Sequence, residues 1–532
     1  MSAREDDPKR TSARYSGIPI WAIKRKSSRT LSKDGRDVLH AEQKREVTMP
    51  IAATGSEQTD RTALNALLVK QRAAQLRHGA PSAAIRIERL NRCIALLVDH
   101  RGEIEAALTA DFGARSSHVT AFADVASSIG PLKHARQHVA RWMKTERRST
   151  TPRILGFLGA KAEIRHQPKG VVGVISPWNF PVNLTFGPLA GVLAAGNRAM
   201  IKPSEMTPAT SELLKKIFAS AFDEEEIAVV TGGPEVGQAF ASLAFDHIIF
   251  TGATSIGRHV MKAAAENLVP VTLELGGKSP VILGRSADLA TSAARIMNGK
   301  TLNAGQICLA PDYVLAPAEK IGGFVEAAKS AVGHMFPTIR DNPDYTAVVA
   351  DRHYERLTGY VDDARAKGAE IVEINPAGED LRQQPHRRMA PTLILNPTDD
   401  MKVMREEIFG PLLPVKAYQK VDEAIDYINA HDRPLGLYYF GSDSDERDQV
   451  LDRTTSGGVS VNDVVMHVVQ EELPFGGIGP AGMGAYHGYD GFREFSHRKS
   501  VFHQMKNDIG LRMLRPPYGA GITRYLASQI KR

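Results

Sequence analysis

His247-Ile-Ile-Phe-Thr-Gly252-Ala-Thr-Ser-Ile-Gly257 runs an apolar stretch into a glycine turn, and the residues that follow place Val260, Met261 and Ala264 on one helical face. An apolar run without alternation is the pattern of a strand buried on both faces. Four similar runs lie nearby: Gly170-Val-Val-Gly-Val-Ile175, Arg198-Ala-Met-Ile-Lys202, Ile227-Ala-Val-Val-Thr231 and Val271-Thr-Leu-Glu-Leu275. Amphipathic stretches from Pro208 to Ala221 and from Ser255 to Asn267 separate them. Strand, helix and strand at this spacing predict an α/β fold with a parallel, doubly wound sheet, which takes ligands at the carboxyl ends of its strands. The turn from Gly252 to Gly257 opens a helix N-terminus, where free N–H groups and the helix dipole suit a phosphate. It is not a G-x-G-x-x-G sequence, so taken alone a plain strand-to-helix turn explains it equally well. Lys202-Pro-Ser-Glu205 closes a neighbouring strand and offers a cation and a carboxylate to sugar hydroxyls, or else forms a surface ion pair. Upstream, a helical pattern begins near residue 60 and continues past Leu97 to Leu108.

The chain has two cysteines in 532 residues. Cys93 falls among Ile87, Leu90, Ile94 and Leu97 at helical spacing and reads as core. Cys308 follows Gly305-Gln-Ile, downstream of Glu274-Leu-Gly-Gly-Lys-Ser-Pro280. A thiol after a glycine, with a carboxylate beside a Gly-Gly turn, suggests a nucleophile and its base. Leu273 and Leu275 surround Glu274 with apolar groups, which should raise its pKa towards a value useful in general base catalysis.

At this length two or three domains are expected, and 42% hydrophobic with 24% charged residues is the balance of a soluble globular protein. No apolar stretch reaches the ~18 residues of a membrane span. Two cysteines make no disulfide framework, so the cytoplasm is the expected compartment. The net charge of +7 is concentrated at one end. Residues 1–48 hold twelve Lys/Arg against seven Asp/Glu, which leaves +2 for the other 484. This basic stretch lacks an apolar period and reads as a solvated extension rather than a nucleic-acid arm.

Six motifs in order resemble the aldehyde dehydrogenase superfamily: Pro177-Trp-Asn-Phe-Pro181, Lys202-Pro-Ser-Glu205, Phe250-Thr-Gly252 with Gly257, Glu274-Leu-Gly-Gly-Lys278, Gly305-Gln-Ile-Cys308 and Glu407-Ile-Phe-Gly-Pro411. The resemblance spans roughly residues 60 to 515. Cys308-Leu-Ala-Pro-Asp-Tyr313, Leu473-Pro-Phe-Gly-Gly477, Gly482-Met-Gly-Ala-Tyr-His-Gly488 and Phe495-Ser-His-Arg-Lys-Ser500 look like its class 3 branch, with bacterial coniferyl aldehyde dehydrogenases the nearest likeness. It implies NAD(P)-dependent oxidation of an aromatic or medium-chain aldehyde to the acid. Cys308 would be the nucleophile, Asn179 an oxyanion donor and Glu274 the base that activates water. Trp178, Lys202, Glu205, Gly252, Gly257, Glu407 and Phe409 would hold the cofactor, with no metal. Glu205 favours NAD, since a carboxylate accepts from a free 2′-hydroxyl and repels a 2′-phosphate; Lys202 leaves NADP open. Glu407 is the second candidate for the base.

The resemblance also implies the organisation of the chain. An extension would occupy 1–58, a cofactor domain 59–146 and 171–273, a catalytic α/β domain 274–470, and a bridging β-hairpin arm 147–170, with 485–532 joining a homodimer. No membrane anchor is expected, since the charged C-terminal stretch is unlike one. Two alternatives stand beside hydrolysis: transfer of the acyl group to coenzyme A, which a hydrolytic Glu274 would oppose, and a non-enzymatic binding role.

Overall fold

The computed structural model describes residues 55–507 and 509–531, so the expected extension over 1–58 falls almost wholly outside the described residues. Strands Val171–Ile175, Arg198–Lys202, Ile227–Val229, His247–Gly252 and Val271–Leu275 form where the apolar runs predict them, and all pair in parallel. Val171–Ile175 lies in the middle, with Arg198–Lys202 and Ile227–Val229 on one side and His247–Gly252 and Val271–Leu275 on the other. Gly482–Met483 adds an antiparallel sixth strand beyond Val271–Leu275. The winding therefore reverses between Val171–Ile175 and His247–Gly252, where loops leaving the strand ends diverge and open a crevice. Alternate residues serve two cores: Val172, Val174, Ala199 and Ile201 join one, while Val171, Met200, Ile248 and Phe250 join the other. Burial on both faces is the reason these strands show no alternation in sequence.

The boundaries differ in detail. Ile227–Val229 stops before the expected Thr231, because Gly232 and Gly233 lead into Pro234, the first residue of the next helix. The helix after Gly252 is Thr254–Ala265 rather than 255–267; Gly257, Val260 and Ala264 form its buried face. The helical pattern from 60 to 108 divides into Gly55–His78, Ala83–Asp99 and Arg101–Phe112, with Gly79 (φ +68°) at the first break.

A second sheet of seven strands spans residues 280–461, all parallel except the antiparallel edge strand Glu370–Glu373. The chain crosses between the sheets through 276–279, after Val271–Leu275 and before Pro280–Leu283. The expected boundary between 273 and 274 would cut a strand, and Glu274 belongs to the first sheet. A third sheet joins Glu146–Arg148, Lys161–Pro168 and Ser496–His503, all antiparallel. Of the arm expected over 147–170, Lys161–Pro168 is a full strand, while the stretch from Arg147 to Gly156 gives only the end of that three-residue strand, a turn and the start of the short helix Ile154–Phe157. Among the described residues no helix is long and apolar enough to cross a membrane.

Candidate active site

A cleft of about 1090 Å³ opens at the strand ends, with Trp178, Asn179, Gly252, Glu274, Cys308, Glu407 and Phe409 on its wall. These seven residues, drawn from five separate motifs, are thus brought together. Lys202, Glu205 and Gly257 are not on that wall. Lys202 is buried at the end of its strand and donates to the Pro203 carbonyl (2.8 Å) and to Glu205 (3.4 Å). Gly257 lies in the first turn of its helix, where any Cβ would collide with the Leu275 side chain, so it allows close helix–sheet packing.

The loop after Val171–Ile175 is held at its middle. The Asn179 carbonyl accepts from Arg115 Nη1 (3.0 Å) and Asn303 Nδ2 (3.1 Å), and Asn179 Nδ2 donates to the Gln306 carbonyl (3.1 Å). Arg115 pairs with Asp124 at 2.6 Å, both side chains being fully buried, and its guanidinium lies over the rings of Phe112 and Phe180. The second Asp124 oxygen accepts from the Val182 and Asn183 N–H groups (3.2 and 3.1 Å) at the start of the next helix. Asp124 itself sits in a π-helical segment, Thr120–Ala126.

The segment before Cys308 is forced into left-handed backbone. Asn303, Ala304 and Gly305 have φ of +50°, +54° and +72°, and a Cβ on Gly305 would collide with the Gly410 carbonyl. Gln306 fixes this turn, donating to the carbonyls of Asn303 (2.9 Å) and Ala347 (3.0 Å) and accepting from the Val349 N–H (3.0 Å). Strain of this kind persists only where surrounding bonds hold it. Cys308 emerges partly exposed.

Glu274 is 1% exposed, and neither carboxylate oxygen has a well-formed hydrogen bond. Burial pushes its pKa up to about 8, and the nearby Glu407 carboxylate adds to the rise; the Cys308 thiol is its other titrating neighbour. The thiol is likewise pushed well up, first by burial and then by Glu274 and Glu407. Glu407 rises to about 7, chiefly through burial. Its carboxylate rests on Gly276, where a Cβ would collide with it. Behind it Lys278 bonds Asp312 and donates to the carbonyls of Val403 (2.8 Å) and Glu406 (3.0 Å), while Asp312 accepts from the Ile408 N–H (2.9 Å). Lys300 is fully buried with no hydrogen-bond partner; burial lowers its pKa to about 8, and Asp312 and Glu407 are among its charged neighbours.

The cleft fits a nicotinamide dinucleotide. Thr251 to Ser255 and Arg258 line it at a helix N-terminus, a setting for a pyrophosphate. The buried Glu407 Oε1 lacks a partner and could accept from a ribose hydroxyl. Trp178 packs edge-on against Phe409 and stacks on His353, both at 5.3 Å, which provides a flat aromatic wall. Among the described residues no group of three or more His, Cys, Asp or Glu could hold a metal ion.

Sequence reasoning missed the residues that hold the site. Gln306, Lys278 and Asp312 lie inside quoted motifs, yet nothing local gave them a role. Arg115 and Asp124 were legible only as charges in apolar surroundings, Ala114-Arg115 and Ala123-Asp124-Val125.

A doubly wound sheet with this cleft at its switch point defines a nicotinamide-dependent oxidoreductase. The chain belongs to the aldehyde dehydrogenase family, whose profile matches residues 35–501, and it oxidises aldehydes with a nicotinamide cofactor. The match begins at residue 35, earlier than the resemblance near residue 60 indicated. The chain is 72% identical over 478 residues to a Caulobacter vibrioides protein named probable coniferyl aldehyde dehydrogenase, covering 90% of this chain and 99% of that one. It is 53% identical over 471 residues to the coniferyl aldehyde dehydrogenase of a Pseudomonas species, covering 88% and 96%. The substrate-bound structure of Staphylococcus aureus AldH superposes with a TM-score of 0.82 at 36% identity, covering 87% of this chain and 99% of that one.

Proposed function

We propose that the protein oxidises coniferaldehyde and related aryl aldehydes to their acids with NAD, through a covalent adduct on Cys308. The observation that carries the mechanism is the buried Glu274 carboxylate beside a partly exposed thiol in one cleft. The substrate class rests on the names of the two relatives.

Cys308 Sγ attacks the carbonyl carbon, and the thiol proton passes to Glu274 in its ionised form. Charge develops on the former carbonyl oxygen. Asn179 has one amide hydrogen committed to the Gln306 carbonyl and a second free to stabilise that charge, beside the backbone N–H of Cys308. Held by Trp178, Glu407 and Phe409, a nicotinamide would supply the acceptor for the hydride on the adduct carbon. Glu274 then passes the thiol proton to solvent. Ionised again, it deprotonates the water that cleaves the thioester left on Cys308, and it returns that second proton to the departing thiolate, which regenerates the thiol. Glu407, Trp178 and Phe409 orient the cofactor, and Glu205 favours NAD over NADP. Exposed Ile154, Phe157, Leu158 and Phe502 on the arm support its assignment to a homodimer contact.

The test is reduced-cofactor formation with coniferaldehyde, benzaldehyde and hexanal, with NAD or NADP, and with or without coenzyme A. Turnover of coniferaldehyde with NAD and no coenzyme A is expected. A requirement for coenzyme A would replace hydrolysis by acyl transfer; turnover of hexanal alone would remove the aryl assignment.

A further inference from the structure

Cys308 packs against apolar side chains. Phe180, Leu184, Ile307, Phe475 and Tyr486 share one hydrophobic cluster, and Cys308 packs against it together with Val465 and Val468. One carboxylate lies nearby, on a residue whose backbone carbonyl rests against Gly488, next to His487. Glu471 is half-buried, its Oε2 is shielded from solvent without a hydrogen-bond partner, and burial, reinforced by the neighbouring Glu472, raises its pKa to about 7. Tyr486 relates it to the chemistry: the charged groups acting on the tyrosine hydroxyl are Glu274, Cys308 and Glu471. The catalytic pair and Glu471 are therefore all within electrostatic reach of one aromatic side chain.

A glycine leaves the carboxylate without a side chain opposite it. Gly130, on the helix Ser127–Trp142, faces Glu471 Oε1, and a Cβ built there would stand 3.9 Å from it. Next to it His134 pairs with Glu472 at 3.1 Å, so that exposed carboxylate is engaged elsewhere. His487 supplies an independent sign of an unmet polar contact. It is 9% exposed, its Nδ1 has no partner, and its ring lies 5.1 Å from Phe475 and 5.0 Å from Tyr486. A buried acceptor and a buried ring nitrogen, both unpaired beside an apolar surface that ends on the nucleophile, match a long apolar substrate with a polar far end.

We infer that Glu471 is a specificity-determining residue, accepting a hydrogen bond from a hydroxyl on the end of the substrate remote from the aldehyde. The ligand class is a flat, conjugated aldehyde with a phenolic donor opposite its electrophilic carbon. This rests on the aryl-aldehyde reading above and deepens it. A site built to pair a substrate hydroxyl rejects the analogue lacking it, because its own buried group is then left unpaired.

The experiment compares kcat/KM for coniferaldehyde, cinnamaldehyde and 3,4-dimethoxycinnamaldehyde on the full-length enzyme, its Glu471→Gln form and its Glu471→Leu form. The readout is the ratio between aldehydes on one enzyme, so a general loss of fold or catalysis cancels. The wild type should prefer the phenol over both analogues by roughly 10–100-fold, mainly through KM. Glu471→Leu should bring the ratio to about one, and Glu471→Gln, which keeps an acceptor oxygen, should retain part of the preference. An undiminished ratio in Glu471→Leu overturns this inference and leaves the aryl assignment standing. Oxidation of hexanal but of none of the three cinnamaldehydes by the wild type overturns the aryl assignment, and the inference with it.

Discussion

At Glu274 burial and reactivity oppose each other. The side chain is withdrawn from water and close to a second carboxylate, and both raise its pKa, to about 8. Below that pH it is a neutral acid facing a thiol that is itself held protonated by burial and by the two carboxylates. As pH rises through about 8 the carboxylate appears and can accept a proton from thiol or water. The steady-state rate should therefore climb across that interval in the wild type. In Glu274→Gln a first burst of reduced cofactor should survive at a lowered rate: the thiol loses its proton acceptor, but it also loses one of the two carboxylates that hold it protonated. The later turnover should fall by roughly 10²–10⁴ and lose its rise near pH 8. Rapid-mixing measurements across this pH range check both points, and an unchanged steady-state rate would move the base to Glu407.

The loop that carries Asn179 is held by charges drawn from outside it and is tied to the segment before Cys308 by the amides of Asn179 and Asn303. Arg115 and Asp124 bracket the loop after Val171–Ile175, one at the Asn179 carbonyl and the other at the helix N-terminus starting near Asn183. Removing one member leaves the other buried and unpaired, so Arg115→Met should lower stability by about 3–5 kcal/mol in denaturant unfolding. The double variant Arg115→Met/Asp124→Leu should regain much of that loss, since an apolar pair of similar volume replaces the ions. Its kcat should stay depressed, because the Asn179 carbonyl keeps only the Asn303 donor and the loop loses the tether that Arg115 gave it. Recovery of kcat together with stability would show the pair to be structural only. The same elements show what the sequence disclosed. Cys308 and Glu274 were legible because a scarce thiol and a carboxylate flanked by leucines stand beside glycines, all of it local. Arg115 and Asn179 are 64 positions apart, and Gln306 and Ala347 are 41 apart; contacts that close only in three dimensions leave no period to read. The five parallel strands of the first sheet could be placed because burial on both faces makes them largely apolar. The arm's first strand could not, since three exposed or half-exposed polar residues carry no pattern of their own.

For the whole molecule, the charges gathered at the cleft make catalysis and stability pull in opposite directions with pH. Glu274 and Glu407 have folded pKa values of about 8 and about 7, against the usual carboxylate range in the unfolded chain. A carboxyl raised on folding binds its proton more tightly in the native state. It supports the fold fully at pH values below its unfolded pKa, and that support drains away as pH rises to the folded value. Salt-bridged carboxylates elsewhere, such as Glu226 between Arg89 and Arg92, have lowered pKa values and act in the opposite sense. They are the same in wild type and variant, so they cancel in a difference. Glu274→Gln removes one raised group and keeps its shape. Its melting temperature should thus be close to that of the wild type near pH 5 and should exceed it by a growing margin up to about pH 9. Paired thermal unfolding curves at matched ionic strength measure that margin. A difference that stays flat across the range would mean that Glu274 is not held protonated in the folded protein, and the rise in rate near pH 8 would then need another source.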